Sequence, residues 1–384
     1  MATPSAQPSL FDSPEDSVEN SKYLSQQLIT YIGNKRALLG AIEEATRTVR
    51  EELGGRRMEI LDGFSGSGVV SRLFKRYASR LVTCDIEDYA SVVSQCYLAN
   101  RGVVPISEVS EFVRWMNSEV ESSPEPPHGG FIRRLYSPRD DERIELGERV
   151  FYTSDNGRRL DHFRQLIDKA PDELRPFLLG PLLSAASVHA NTAGVFKGFY
   201  KDKESGVGRL GGSGQDALLR IKGQIIMREP VLSDHECDYE VRSGDTNREV
   251  HSMGDLDLAY FDPPYNQHPY GSNYFMLNLI VNYEEPEEIS DVSGIPVDWK
   301  RSAYNVRRKA LDQLNDLVSV TPARFLLVSF NNDGFISPDQ MRQTLSAQGD
   351  VREMQLKYNT FRGSRNLADR STHVTEHLFL VRRS

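Results

Sequence analysis

The sequence is poor in cysteine and has no surplus of positive charge. Its 384 residues contain three cysteines, Cys84, Cys96 and Cys237, and no Cys-x-x-Cys pair. That spacing excludes a zinc site or a disulfide framework and points to a reduced, intracellular chain. No apolar run reaches bilayer-spanning length and no signal peptide is read, so a soluble protein without membrane contact is expected. Acidic residues outnumber basic ones by 55 to 46, for a net charge of −9. The chain is therefore no generally basic nucleic-acid binder, and any contact with a polyanion must be a local patch.

What the sequence does have is punctuation at strand ends. "DLAYFDPPY" runs from Asp257 to Tyr265 and closes an apolar stretch with Asp262-Pro263-Pro264-Tyr265. Two prolines cannot continue a sheet ladder, because each lacks a donor and has its φ fixed. The strand stops there, presenting a carboxylate, a rigid turn and an aromatic ring at its carboxyl end, where open α/β sheets bind ligands. A structural reading, an Asx-Pro turn closing a strand, competes with the functional one.

A second such end lies upstream. "MEILDGFSGSGVVSRLFKRYASRLVTCD" reads as a strand over Met58–Asp62, a glycine-rich turn over Gly63–Gly68, a helix and a second strand over Leu81–Asp85. This βαβ unit predicts parallel strands with a right-handed crossover. Glycines at such a turn let backbone approach a ligand closely. Asp85, 17 residues beyond Gly68, can accept hydrogen bonds from ribose hydroxyls. The glycine order, Gly-x-x-Gly-x-Gly, is not that of nicotinamide dehydrogenases.

The two ends together suit methyl transfer to an exocyclic amine. That nitrogen is a weak nucleophile because its lone pair is delocalised into the base. Two acceptors gripping its protons, the Asp262 carboxylate and the Pro263 carbonyl, would favour a pyramidal nitrogen. Tyr265 offers a stacking face for a base swung out of the duplex. This is orientation and electrostatic preorganisation. Cytosine carbon-5 chemistry is disfavoured, since no cysteine follows a proline.

These motifs resemble those of the Dam-like alpha group of adenine-specific DNA methyltransferases. "YIGNK" (Tyr31–Lys35) resembles the group's amino-terminal cofactor motif, "LDGFSGSG" its cofactor loop and "DPPY" its catalytic motif, in the group's order. The resemblance implies S-adenosylmethionine as cofactor, no metal, and a Rossmann-like class I methyltransferase fold: α/β, mostly parallel, with an inserted target-recognition lobe. It implies that Tyr31, Gly33, Lys35, Asp62, Phe64, Gly66 and Gly68 line the cofactor pocket. Asp85 would hold the ribose and Asp245 the cofactor's adenine. Asp262, Pro263, Pro264 and Tyr265 would be catalytic. "YNTFRGSRN", with Arg362 and Arg365, occupies the place of a loop beside the flipped base.

Organisation follows. Residues 1–20 read as a disordered tail, 21–102 and 240–384 as the catalytic domain with two strands before the insertion and three after it, and 103–239 as the recognition lobe. Within the lobe, "VFKGFYKDKESGVGRLGG" mixes Lys197, Lys201, Lys203 and Arg209 with Phe196, Phe199 and Tyr200. Lysines there would contact phosphates and aromatics would wedge or stack. His268 is placed to contact a base, whereas His189 reads as a satisfied, partly buried histidine. In the tail, Gln7, Leu10 and Phe11 of "QPSLFD" resemble peptides that grip the bacterial sliding clamp.

The function expected is methylation of adenine in double-stranded DNA, in restriction–modification or epigenetic marking. The protein would be a monomer or weak dimer in the bacterial cytoplasm, associated with the nucleoid. RNA adenine or cytosine amine methylation and a non-catalytic DNA-binding subunit stand as alternatives.

Overall fold

The computed structural model describes residues 19–33, 35–212, 217–332, 334–359 and 373–383. Seven strands form one sheet: β1 (Met58–Asp62), β2 (Ala78–Asp85), β3 (Asp238–Ser243), β4 (Leu256–Phe261), β5 (Ala323–Asn331), β6 (Gly349–Asn359) and β7 (His373–Arg383). Their order is β3-β2-β1-β4-β5-β7-β6. β1 pairs in parallel with β2 and β4, and β4 with β5, while β7 runs antiparallel to both β5 and β6. The expected mostly parallel sheet is the one found.

Alternation along the central strands explains the layering. In β4, Leu258 and Tyr260 join one apolar cluster while Ala259 and Phe261 join another. Every residue of β4 is buried, as expected of a strand covered on both faces. The helices Leu39–Glu52 and Val69–Phe74 cover one face, and Arg307–Val320 and Pro338–Ser346 the other.

Five of the seven strands were legible from apolar runs. The two missed, β3 and β6, end the sheet order at its edges. β3 ("DYEVRS") has no buried residue, so it carries none of the apolar signal on which strand reading depends.

Between β2 and β3 the chain builds a mainly helical lobe. Its longer helices are Ile106–Ser122, Ser154–Ile167 and Arg175–His189. The lobe's apolar core also includes residues of Asp88–Tyr97 and Phe275–Asn282, which lie outside the span 103–239. Arg175–His189 packs so closely on Asp88–Tyr97 that a Cβ at Gly180 would come within 2.7 Å of the Cys96 sulfur. The lobe is thus rooted in the sheet's own helices. At its far end Asp238 already pairs with Arg80, so the sheet resumes just before residue 240. At the amino end, Glu19 accepts from Ser233 Oγ at 2.6 Å and from the Asp234 N–H at 3.0 Å. Residues 19 and 20 therefore belong to the folded chain, and the remaining tail, with Gln7, Leu10 and Phe11, lies outside the described residues.

Candidate active site

Three neighbouring parallel strands end in aspartates. β1 ends in Asp62, β2 in Asp85, and β4 is followed at once by Asp262. Because β1 lies between β2 and β4, the three carboxylates share one carboxyl edge, at the point where strand order reverses. An open cavity lies there, where such sheets bind ligands. Tyr31, Phe64, Asp85, Asp245, Asp262 and Pro264 line it, whereas Gly33, Asp62, Gly66 and Gly68 are not among its walls.

The glycine loop is shaped by contact as well as by turn geometry. Gly66 has φ +48°, and a Cβ there would meet the Tyr31 hydroxyl at 2.9 Å. Its N–H donates to Asp85 Oδ2 at 2.8 Å, and the Glu87 N–H donates to Oδ1 at 2.9 Å. Each Asp85 oxygen keeps a further lone pair for a ligand hydroxyl. Gly68, φ +72°, precedes the helix Val69–Phe74. Asp245 caps the helix Thr246–Glu249, accepting from the Asn247 N–H at 3.0 Å.

Asp62 is 1% exposed, and Ser71 Oγ donates to its Oδ2 at 2.5 Å. Its Oδ1 is buried without a partner among the described residues. Burial pushes its carboxyl up to about 7, and both Asp85 and Asp262 add to the rise. Asp62 itself is not among the cavity's walls.

The "YIGNK" segment reaches the catalytic motif. The Tyr31 ring stacks on Tyr274 at 4.6 Å and on Tyr270 at 5.1 Å. Gly33 has φ +71° and lies beneath the hydroxyls of Tyr270 and Tyr265. Lys35 is not among the cavity's walls. Its ammonium, 4% exposed, sits 2.9 Å from Asp262 Oδ1 and 2.6 Å from Glu376 Oε1 on β7. Burial pushes the Asp262 carboxyl up to about 6, and Lys35 opposes that rise. Among the described residues nothing donates to the Pro263 carbonyl. The Tyr265 carbonyl accepts from the Phe335 N–H at 2.8 Å, which fixes the turn from the far side.

Several walls of the cavity carry no motif and were missed. Glu87, two residues past Asp85, is 2% exposed and accepts from Asn278 Nδ2 at 2.7 Å. Burial, then Asp85, push its carboxyl up to about 8. Thr246, Tyr270, Lys300, Ser302 and Asn305 also line it, and Lys300 pairs with Asp88 at 2.6 Å. Only Glu87 offered a signal, as a second acid at the same strand exit.

The lobe residues divide. Lys197 is exposed, and its charge helps hold the His268 imidazolium below the usual histidine range, after burial. Lys201 sits 4.8 Å over the Phe199 ring, Lys203 is exposed, and Arg209 Nε donates to the Gly211 carbonyl. Phe196 is 2% exposed in the lobe core and cannot serve as a wedge, contrary to the expectation for that loop. His189 Nδ1 lies 2.7 Å from the Arg220 carbonyl, the satisfied state expected. Arg362 and Arg365 lie outside the described residues.

Comparison with known proteins fits this geometry. Residues 31–292 match the D12 class N6 adenine-specific DNA methyltransferase model. The chain belongs to that family. It is an S-adenosylmethionine-dependent enzyme that methylates the exocyclic amine of adenine in DNA. It is 25% identical over 370 residues to the type II methyltransferase M.NlaIII of Neisseria lactamica, covering 93% of this chain and all of that one. M.CviAII of Paramecium bursaria Chlorella virus 1 is 25% identical, over 92% of this chain and 98% of its own. M.FokI of Planomicrobium okeanokoites is 23% identical over 92% of this chain, which spans about half (52%) of that relative. Among solved structures, a Thermoplasma acidophilum protein aligns over 90% of this chain and 97% of its own at 10% identity and TM-score 0.31. The fold rests on the sheet order, not on that match. Among the described residues no helix is long and apolar enough to cross a membrane, and no acid, histidine and cysteine cluster could hold a metal.

Proposed function

We propose that the three strand-end aspartates divide the reaction between them, Asp62 and Asp85 serving the cofactor and Asp262 the target adenine. S-adenosylmethionine supplies an electrophilic methyl group on a sulfonium, and also carries an α-ammonium. The cavity fits such a cation: Asp85, Glu87, Asp245 and Asp262 line it against one cation, Lys300. The unpartnered, buried Asp62 Oδ1 is suited to the α-ammonium, whose approach would favour the ionised carboxylate. Asp85 receives ribose hydroxyls, Asp245 the adenine, and Phe64 and Tyr31 the apolar remainder. Gly33, Gly66 and Gly68 shape the backbone around it.

On the other side of the site, Asp262 and the Pro263 carbonyl accept the two protons of the target amine, with Pro264 fixing the turn and Tyr265 stacking the displaced base. The Asp262 carboxylate then takes the proton that the amine sheds on gaining the methyl. Lys35 keeps that carboxylate charged at neutral pH in a buried setting. The single observation behind this reading is the Lys35–Asp262 pair at 2.9 Å, which makes the motif's acid an acceptor. Asp262→Ala should abolish methyl transfer to duplex DNA while leaving S-adenosylmethionine affinity nearly intact. Retention of most of the transfer rate would remove Asp262 from the mechanism.

Lys197, Lys201, Lys203, Arg209 and His268 are proposed to contact double-stranded DNA, and Arg362 and Arg365 the loop beside the flipped base. Relatives bearing type II names support a modification role beside a restriction enzyme. The protein would work as a monomer or weak dimer in the bacterial cytoplasm, at the nucleoid. The tail peptide Gln7, Leu10 and Phe11 is proposed to dock on the sliding clamp.

A further inference from the structure

The chain is acidic overall, yet "WKRSAYNVRRK", Trp299 to Lys309, holds five basic residues and no acid. We propose that Arg301, Arg307 and Arg308 in this segment clamp the DNA phosphates flanking the displaced adenine. This deepens the catalytic reading, because it assumes that the base enters beside Tyr265.

Two contacts tie the segment to the catalytic turn. Asn305 Nδ2 donates to the carbonyl of Asn266, the residue after Tyr265, at 2.7 Å. The Arg307 guanidinium lies 4.7 Å over the Phe335 ring, and the Phe335 N–H donates to the Tyr265 carbonyl. Arg307 is thus one residue removed from the backbone that holds the stacking ring. Arg301 lies 4.3 Å over the Trp299 ring, next to Lys300 and Ser302 of the cavity wall. Stacking on an aromatic ring orients a guanidinium while leaving its N–H groups in its plane free for phosphate oxygens.

The charges are also available. Arg301, Arg307 and Arg308 are exposed, and none forms a salt bridge among the described residues. The helix Arg307–Val320 has no acid in its first turn and opens on Arg307 and Arg308. Basic residues there oppose the helix dipole. A local conflict of that kind is expected where function overrides stability.

The test is the salt dependence of binding to a short duplex, followed by fluorescence anisotropy. Removing one phosphate-binding cation should lower the log–log slope by about 0.9. Arg307→Gln should therefore lower it by about 0.9, and the triple variant with Arg301→Gln and Arg308→Gln by up to about 2.7. Calorimetry with S-adenosylmethionine on the same variants checks that the cavity is intact. A triple variant with wild-type slope and wild-type cofactor affinity would overturn the clamp. The catalytic reading would survive that result, since it falls only if Asp262→Ala retains transfer.

Discussion

Asp85 and Asp262 lie at one carboxyl edge of the sheet, on either side of β1, yet their surroundings differ. Asp85 is satisfied by two backbone N–H groups and faces a cavity walled by other acids. Asp262 is held by a buried ammonium that a second acid, Glu376, anchors from β7. Ser329 Oγ and Asn331 Nδ2 in turn donate to Glu376 at 3.0 and 3.1 Å. One carboxylate has backbone donors and room for further hydrogen bonds, and the other already holds a cation of its own. Under the proposed division, the same residue type at the same kind of strand end does two jobs, and partners decide which.

The contrast is broken most severely by removing the internal cation. In the proposed mechanism Asp262 must be ionised to accept from the amine, and its pKa of about 6 in the free enzyme places the acid limb of kcat/KM near pH 6, with activity falling below it. Lys35 lowers that pKa, so Lys35→Gln should move the limb upward. The first unit of movement costs about fivefold in rate at pH 6, and each further unit about tenfold. Cofactor affinity should be unchanged. A pH–rate profile with the limb in place would separate Lys35 from the charge state of Asp262.

A smaller effect sharpens the cofactor side. Gly66→Ala puts a methyl group against Tyr31 and an L-residue at φ +48°. The left-handed conformation costs about 1–2 kcal/mol, visible as a lower denaturation midpoint. Because Gly66 also donates to Asp85, cofactor affinity should fall in the same variant. Wild-type affinity together with wild-type stability would make the close approach incidental.

The smallest expected effect lies outside both environments. Replacing Leu10 and Phe11 by alanine should leave cofactor affinity and transfer to short duplexes unaltered, yet abolish retention of purified sliding clamp in a pull-down. Failure of the wild-type protein to retain clamp at micromolar concentration would dispose of that docking.

The comparison also shows why parts of the site were legible and others were not. Asp62, Asp85 and Asp262 follow apolar runs and carry glycine or proline beside them, so both strand and stop can be read. Lys35 was found through its motif but assigned to the cofactor. Its true neighbours come from β4 and from β7, far along the chain, and no local spacing encodes that meeting. Glu376 opens the apolar run "EHLFLV", which signals a strand and carries no mark of a site. Thr246, Lys300 and Asn305 reach the cavity through loop and helix packing with no periodic signature. The lobe's helices escaped because its sequence was read through its glycine and proline loops, and its core is shared with helices outside it.

The claim that the strand-end aspartates divide cofactor and target between them is tested most directly by a crossed experiment on Asp62→Asn and Asp262→Asn. S-adenosylmethionine affinity is measured by calorimetry, and single-turnover transfer to duplex DNA at saturating cofactor. Asp62→Asn should weaken cofactor binding by about 1.5–3 kcal/mol, the usual worth of a bond to a charged group, and largely retain transfer. Asp262→Asn should bind cofactor as the wild type does and fail to transfer. An Asp262→Asn enzyme that transfers normally, or one whose only defect is cofactor binding, would contradict the division.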